Sequence, residues 1–173
     1  MKKALFLDLD GTIRQPIANP NGFISHPFDQ EIIAGAKHAI DKYIAEGWEL
    51  VGISNQAGVA AGHKSLQDCI VEQARTLDLA GLESVLFCPD FDGLQCYQVI
   101  NVEREYIELH QQDDRWIGQY RKPNAGMLLH AIDIYTPSEI LFIGDRPEDE
   151  ESAKAANIPF IWAHEWRSIY LIA

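Results

Sequence analysis

Apolar residues along this chain come in short runs separated by amphipathic stretches and polar turns. Residues 4–9 (ALFLDL) form an apolar run interrupted only by Asp8, the pattern of a strand buried on both faces of a parallel sheet. A polar segment containing Gly and Pro follows over 11–27. Across 28–46 the apolar positions Ile32, Ile33, Ala36, Ile40, Tyr43 and Ile44 take helical spacing, with Gly47 as a stop. Residues 49–54 predict a second strand. Residues 65–79 predict a second helix, N-capped by Ser65 and terminated by Gly81. A strand at 84–88, a helix at 124–135, a strand at 139–144, a short helix at 147–157 and a strand at 159–162 continue the alternation.

This rhythm predicts an α/β fold with a mostly parallel central sheet and right-handed crossovers. In such sheets ligands bind beyond the carboxyl ends of the strands, so reactive residues are expected where strands stop. Residues 89–120 break the rhythm. They are polar, contain Asp92-Gly93 and offer one short strand near 97–102, which reads as an insertion near the site. A length of 173 residues fits one domain, 1–173, with that insertion inside it.

Composition narrows the setting. No apolar stretch approaches the roughly 18–20 residues that cross a bilayer. The run after Lys2 and Lys3 is cut short by Asp8 and Asp10, so no signal peptide is read and the cytoplasm is the expected location. Cys69, Cys88 and Cys96 are an odd, sparse set that makes no disulfide framework. A formal net charge of −12 argues against broad attraction to nucleic acid or to a membrane surface. No obligate protein partner is evident.

Four segments carry candidate chemistry. Asp8-Leu9-Asp10-Gly11-Thr12 closes the first strand. Side chains two apart on an extended chain face the same way, with Cα atoms roughly 6.5–7 Å apart, so two carboxylates can address one small group. The bland alternative is a strand running into an Asp-Gly turn. Ser54-Asn55-Gln56-Ala57-Gly58 closes the second strand, where a hydroxyl and free backbone N–H groups suit a phosphate oxygen. An ordinary turn would look much the same. Arg121-Lys122-Pro123-Asn124 puts a basic pair before a helix, where a lysine can neutralise a phosphoryl group or simply be solvated. Gly144-Asp145-Arg146-Pro147-Glu148-Asp149 follows the fourth strand. Acidic residues also favour a helix's first turn. Yet Asp8, Asp10, Asp145 and Asp149 at neighbouring strand ends would repel one another without a cation, and hard oxygen ligands of this kind select Mg²⁺.

In this order, the four segments resemble the motifs of the haloacid dehalogenase (HAD) superfamily over nearly the whole chain apart from 89–120. SNQAGVAAG, RKPNAGM and GDRPED are similar to its small, nearly capless branch of histidinol-phosphate and heptose-bisphosphate phosphatases and the polynucleotide kinase 3′-phosphatase domain. The resemblance implies a Rossmann-like three-layer sandwich without a large cap, and a Mg²⁺-dependent phosphomonoester phosphatase of small phosphorylated metabolites. It makes Asp8 the nucleophile that becomes an aspartyl phosphate and Asp10 the acid and base. Ser54 and Asn55 then hold phosphoryl oxygens, and Lys122 stabilises the transferring group. Asp8, the Asp10 carbonyl and Asp145 bind the metal, with Asp149 supporting that shell. Gln56, Arg121 and Arg14 are further candidates for substrate contact.

Members of this branch often carry a zinc loop, with Cys-x-His first and Cys-x-Cys directly before the Arg-Lys-Pro. Here Cys88-Pro89-Asp90 lacks the His, and Gly118-Gln119-Tyr120 precedes Arg121, so four zinc ligands are not supplied and no structural zinc is expected. Cys88, Cys96 and His110 remain as an irregular candidate. The stretch 58–65 resembles a phosphate-binding P-loop but has the wrong spacing. Two rival functions stay open at this point. One is a polynucleotide 3′-phosphatase using Arg14, Lys64, Arg115, Arg121 and Arg146 as a local groove. The other is a non-catalytic binding domain on the same fold.

Overall fold

The computed structural model describes residues 1–171. In chain order the elements are β1 (Lys3–Leu7), β2 (Arg14–Gln15), β3 (Glu31–Ile32), α1 (Ala36–Ala45), β4 (Trp48–Asn55), α2 (Leu66–Ala80), β5 (Ser84–Cys88), β6 (Tyr97–Val99) and β7 (Tyr106–Glu108). They continue as α3 (Leu109–Gln112), α4 (Gly126–Tyr135), β8 (Glu139–Gly144), α5 (Pro147–Ala156), β9 (Phe160–Trp162) and α6 (Ala163–Leu171).

Seven strands form one sheet in the order β7-β6-β5-β4-β1-β8-β9. The five from β5 to β9 in that order pair in parallel, as the alternating pattern predicts. β1 lies at the centre, between β4 and β8. The side-chain period of two along it feeds both faces. Leu5 and Leu7 join a core with Ile40, Leu77, Phe87 and Trp166. Ala4 and Phe6 join a second core with Leu86, Leu128, Phe142 and Ala153. Phe6 and Phe142 are register neighbours and both fully buried, so Phe6→Ala would cost about 3–5 kcal/mol.

The insertion extends the sheet. β6 pairs antiparallel with β5 and β7 antiparallel with β6, so residues 89–120 build an edge that shares the main hydrogen-bond network. β7 and α3 were not legible in the sequence. The backbone N–H groups of Asp92, Leu94 and Gln95 all donate to the Asp90 carboxylate and fold the start of this segment. Fully buried Tyr120 ends it, its hydroxyl bonded to the Asp113 carbonyl and to His130.

Two expectations need correction. The helix predicted over 28–46 begins only at Ala36, because Gly35 takes a φ of 82° that breaks the helical path. The upstream Ile32 belongs to β3, which pairs antiparallel with β2 in a small hairpin, and the Ile33 N–H bonds the Ile13 carbonyl. The second correction is α6, which no sequence pattern announced. It docks through fully buried Trp166, and its Arg167 reaches back to the loop after β1. Among the described residues, no helix is long and apolar enough to cross a membrane.

Candidate active site

The motif segments meet at the carboxyl ends of β1, β4 and β8. Asp8 is fixed at its strand end by a bond from its N–H to the Ile143 carbonyl at 2.9 Å. The chain then turns at Gly11, whose φ is 81° and where a Cβ would lie 2.3 Å from Asp145 Oδ2. Only glycine satisfies both demands. Thr12, quoted in the motif without a role, is fully buried and donates its hydroxyl to Asp8 Oδ2 at 2.8 Å. Arg167 Nη1 donates to the Gly11 and Thr12 carbonyls at 3.0 and 2.6 Å and pins the same loop from α6.

Lys122 is buried, and its ammonium uses all three protons. It donates to Asp8 Oδ1 at 2.7 Å, Asp149 Oδ1 at 2.6 Å and the Ile53 carbonyl at 3.0 Å. Asn55 sets the backbone that carries it. The Asn55 side chain accepts from the Lys122 N–H and donates to the Lys122 carbonyl, each at 3.0 Å. Asn55 thus contributes a clamp on the turn that carries the lysine, a role the sequence did not suggest.

Asp149 occupies the first turn of α5, where its Oδ2 accepts from the Asp145 and Arg146 N–H groups, both at 3.1 Å. Gly144 makes room for it, since a Cβ there would meet Asp149 Cβ at 2.4 Å. Asp145 Oδ1 is buried and has no hydrogen-bond partner among the described residues. Asp8, Asp145 and Asp149 each present a carboxylate oxygen within 4.8 Å of the others.

Two carboxylates therefore share one ammonium, with a third beside them. Burial drives the Asp8 carboxyl upward, Lys122 opposes this, and Asp149 and Asp145 add to it. The group is pushed up to about 7. Burial and then Asp149 raise Asp145 as well. For Lys122, burial alone would favour loss of the proton, but Asp8 and Asp149 outweigh it and hold the lysine more firmly protonated than usual. The chemistry of this donor set, with excess negative charge and a partnerless buried oxygen, fits a hard divalent cation such as Mg²⁺.

The Asp10 carboxylate is not among these three. Its Oδ1 accepts from Arg14 Nε at 2.9 Å, and its Oδ2 from Arg14 Nη2 at 3.2 Å and Gln56 Nε2 at 2.9 Å. Its partial burial would raise its pKa, but the Arg14 guanidinium, helped by Lys64 and Gln56, holds the carboxyl below the usual range.

Arg14 and Gln56 differ from expectation. Arg14 is fully buried with its donors committed to Asp10, Glu72, Thr76 and Gln30, so it cannot reach a substrate. Gln56 is buried as well. It donates to Asp10 and to Ser54 Oγ, and accepts from Lys64. Ser54 is buried beside it, at the end of β4. Arg121 is half-buried. Its Nη1 has no protein partner, and its guanidinium lies 5.7 Å from the Phe91 ring.

The HAD-hydrolase-like family model matches residues 119–164, the stretch carrying Lys122, Asp145 and Asp149. The chain is 32% identical over 167 residues to the D-glycero-beta-D-manno-heptose-1,7-bisphosphate 7-phosphatase of Pasteurella multocida, covering 91% of this chain and 79% of that protein. The chain belongs to the haloacid dehalogenase superfamily of phosphatases. The Escherichia coli K12 protein of the same name is 27% identical over 163 residues, covering 90% of this chain and 75% of that protein. Among HAD folds of known structure, the D,D-heptose 1,7-bisphosphate phosphatase from B. bronchiseptica, complexed with magnesium and phosphate, superposes with a TM-score of 0.66 at 22% identity. That match covers 92% of this chain and 79% of the other.

Proposed function

We propose that this HAD phosphatase hydrolyses a small phosphorylated sugar, with Asp8 as nucleophile and residues 1–173 working as one unit. The observation that carries the reading is Lys122 bridging Asp8 and Asp149 beside a partnerless Asp145 oxygen. Asp8, Asp145 and the Asp10 carbonyl would hold Mg²⁺, with Asp149 supporting them. That ion, when bound, offsets negative charge on the transferring phosphoryl group.

The chain's own groups do the rest. An Asp8 oxygen attacks phosphorus while the ester P–O bond breaks, and the leaving oxygen takes a proton from Asp10. Water then attacks the aspartyl phosphate and gives a proton to Asp10, and the bond from phosphorus to Asp8 breaks. Lys122 and Ser54 hold phosphoryl oxygens through this sequence, so positioning and charge supply most of the rate.

The sugar phosphate comes from the names of the heptose-bisphosphate phosphatases that this chain resembles. Arg121, next in the chain to Lys122, is the residue we assign to meet a hydroxyl or a second anionic group of such a substrate. The rival reading on nucleic-acid ends loses most of its groove. Arg14 and Lys64 are paired with Glu72, and Arg115 with Asp113 and Asp133.

Asp8→Asn tests the proposal. Mg²⁺-dependent release of phosphate from p-nitrophenyl phosphate should fall by about 10⁴-fold or more. Full activity in that variant would refute the mechanism. A panel of sugar mono- and bisphosphates beside a 3′-phosphate oligonucleotide would then rank the substrates.

A further inference from the structure

Asp10 sits in a built cradle of which the mechanism above uses only the tip. Arg14 is fully buried, and its fork meets both oxygens of Asp10. Its remaining donors go to Glu72 Oε1 at 2.7 Å, Thr76 Oγ1 at 2.5 Å and Gln30 Oε1 at 3.5 Å. A second arm reaches Asp10 through Gln56, whose Oε1 accepts from Lys64 Nζ at 3.2 Å and so turns its amide NH₂ toward Asp10 and Ser54. Lys64 also donates to Glu72 Oε2 at 2.6 Å. Glu72, buried on α2, therefore ties both arms together, one carboxylate oxygen to each.

Such a network is an expensive way to fill space. Taking ions out of water costs several kcal/mol each, and apolar side chains of the same volume often pack with equal or better stability. Direction is what it supplies. A planar guanidinium matches the two oxygens of a carboxylate and fixes its rotation, which an ammonium on a flexible stem cannot do.

We propose that Arg14, Glu72 and Lys64 are positioning residues that lock the Asp10 carboxyl group in the orientation needed to hand its proton to the leaving oxygen. This rests on the phosphatase reading, in which the ester bond breaks with its electron pair going to that oxygen. An aryl oxygen carries the resulting charge well. An alkyl oxygen needs the proton.

The test compares kcat/KM, which reports the steps up to ester cleavage, for p-nitrophenyl phosphate and for glycerol phosphate. Wild type, Arg14→Lys, Lys64→Met and Asp10→Asn are measured with Mg²⁺, and circular dichroism verifies folding. Arg14→Lys should lower kcat/KM for the alkyl ester about tenfold more than for the aryl ester. Lys64→Met should shift the ratio the same way by less, and Asp10→Asn sets its limit. Equal losses on both esters, or an unchanged ratio, would overturn the proposal in favour of a purely structural network. If Arg14→Lys does not fold, the partly exposed Lys64 decides alone, and an unchanged ratio in Lys64→Met overturns it. A wild type that cleaves neither ester would strike at the phosphatase reading instead.

Discussion

On one side of the β1 strand end, Asp8 shares the ammonium of Lys122 with Asp149 while Asp145 crowds in; on the other, Asp10 faces the fork of Arg14 with Lys64 behind it. The two carboxylates are two residues apart and their affinities for a proton move in opposite directions. Asp8 is pushed up to about 7, and Asp10 is held below the ordinary range. The first side is short of positive charge and is completed from outside. The second side balances its own charges and is fixed from within. The first arrangement leaves a place for a cation beside the nucleophile, and the second fixes the aim of Asp10 while favouring its charged form.

The contrast can be broken at Lys122. Lys122→Met leaves buried Asp8 and Asp149 without their counter-ion. Phosphatase activity should fall by about 10³-fold, and the metal-free protein should lose about 3–5 kcal/mol. Thermal melts should show a smaller loss with Mg²⁺ than with EDTA. If the two conditions lose equally, no cation is sharing this charge.

Asp145→Asn should act in two directions at once. The Mg²⁺ concentration for half-maximal activity should rise about tenfold or more. The metal-free melting temperature should also rise, because one of three mutually repelling groups is gone.

The pH dependence sharpens the difference between the sides. Asp8 binds its proton more tightly folded than unfolded, so its contribution to metal-free stability is complete at acid pH and is lost as pH climbs toward about 7. Asp10 has the opposite sign. Its contribution is present above the ordinary carboxylate range and fades only as pH falls through its depressed value. Melting temperatures in EDTA should therefore decline between pH 5 and 7, on the order of a few degrees, and Asp8→Asn should flatten that decline.

The smallest effect belongs to Thr12. Thr12→Val removes the hydroxyl that donates to Asp8 Oδ2 and should cost about 1 kcal/mol of stability. Its fall in kcat should be small beside that of Lys122→Met.

Much of this was legible in the sequence wherever one strand or one helix carries its own signal. The strands at 84–88 and 139–144 end where the apolar runs end, and Ser65 and Gly81 bracket α2 as capping chemistry demands. Asp8 and Asp145 are visible as strand-end residues, and Lys122 as a basic residue just before a helix. What escaped depends on partners distant in the chain. Arg14 reads as a candidate for substrate contact because its partner Glu72 lies 58 residues away. Gln56 read as a phosphate ligand because it follows Ser54, yet Lys64 and Asp10 claim both ends of its amide. The start of α1 was placed too early because Ile32 and Ile33 keep helical spacing while belonging to a hairpin and its exit.

The grip of Arg167 on the Gly11 and Thr12 carbonyls joins the helix after the last strand to the turn that follows the first. During synthesis the nucleophile and its glycine leave the ribosome early, whereas the side chain that steadies them emerges more than 150 residues later. A nascent chain halted before α6 would therefore carry every catalytic group and still lack the brace that sets the first of them. Competence in this molecule should switch on only once α6 docks.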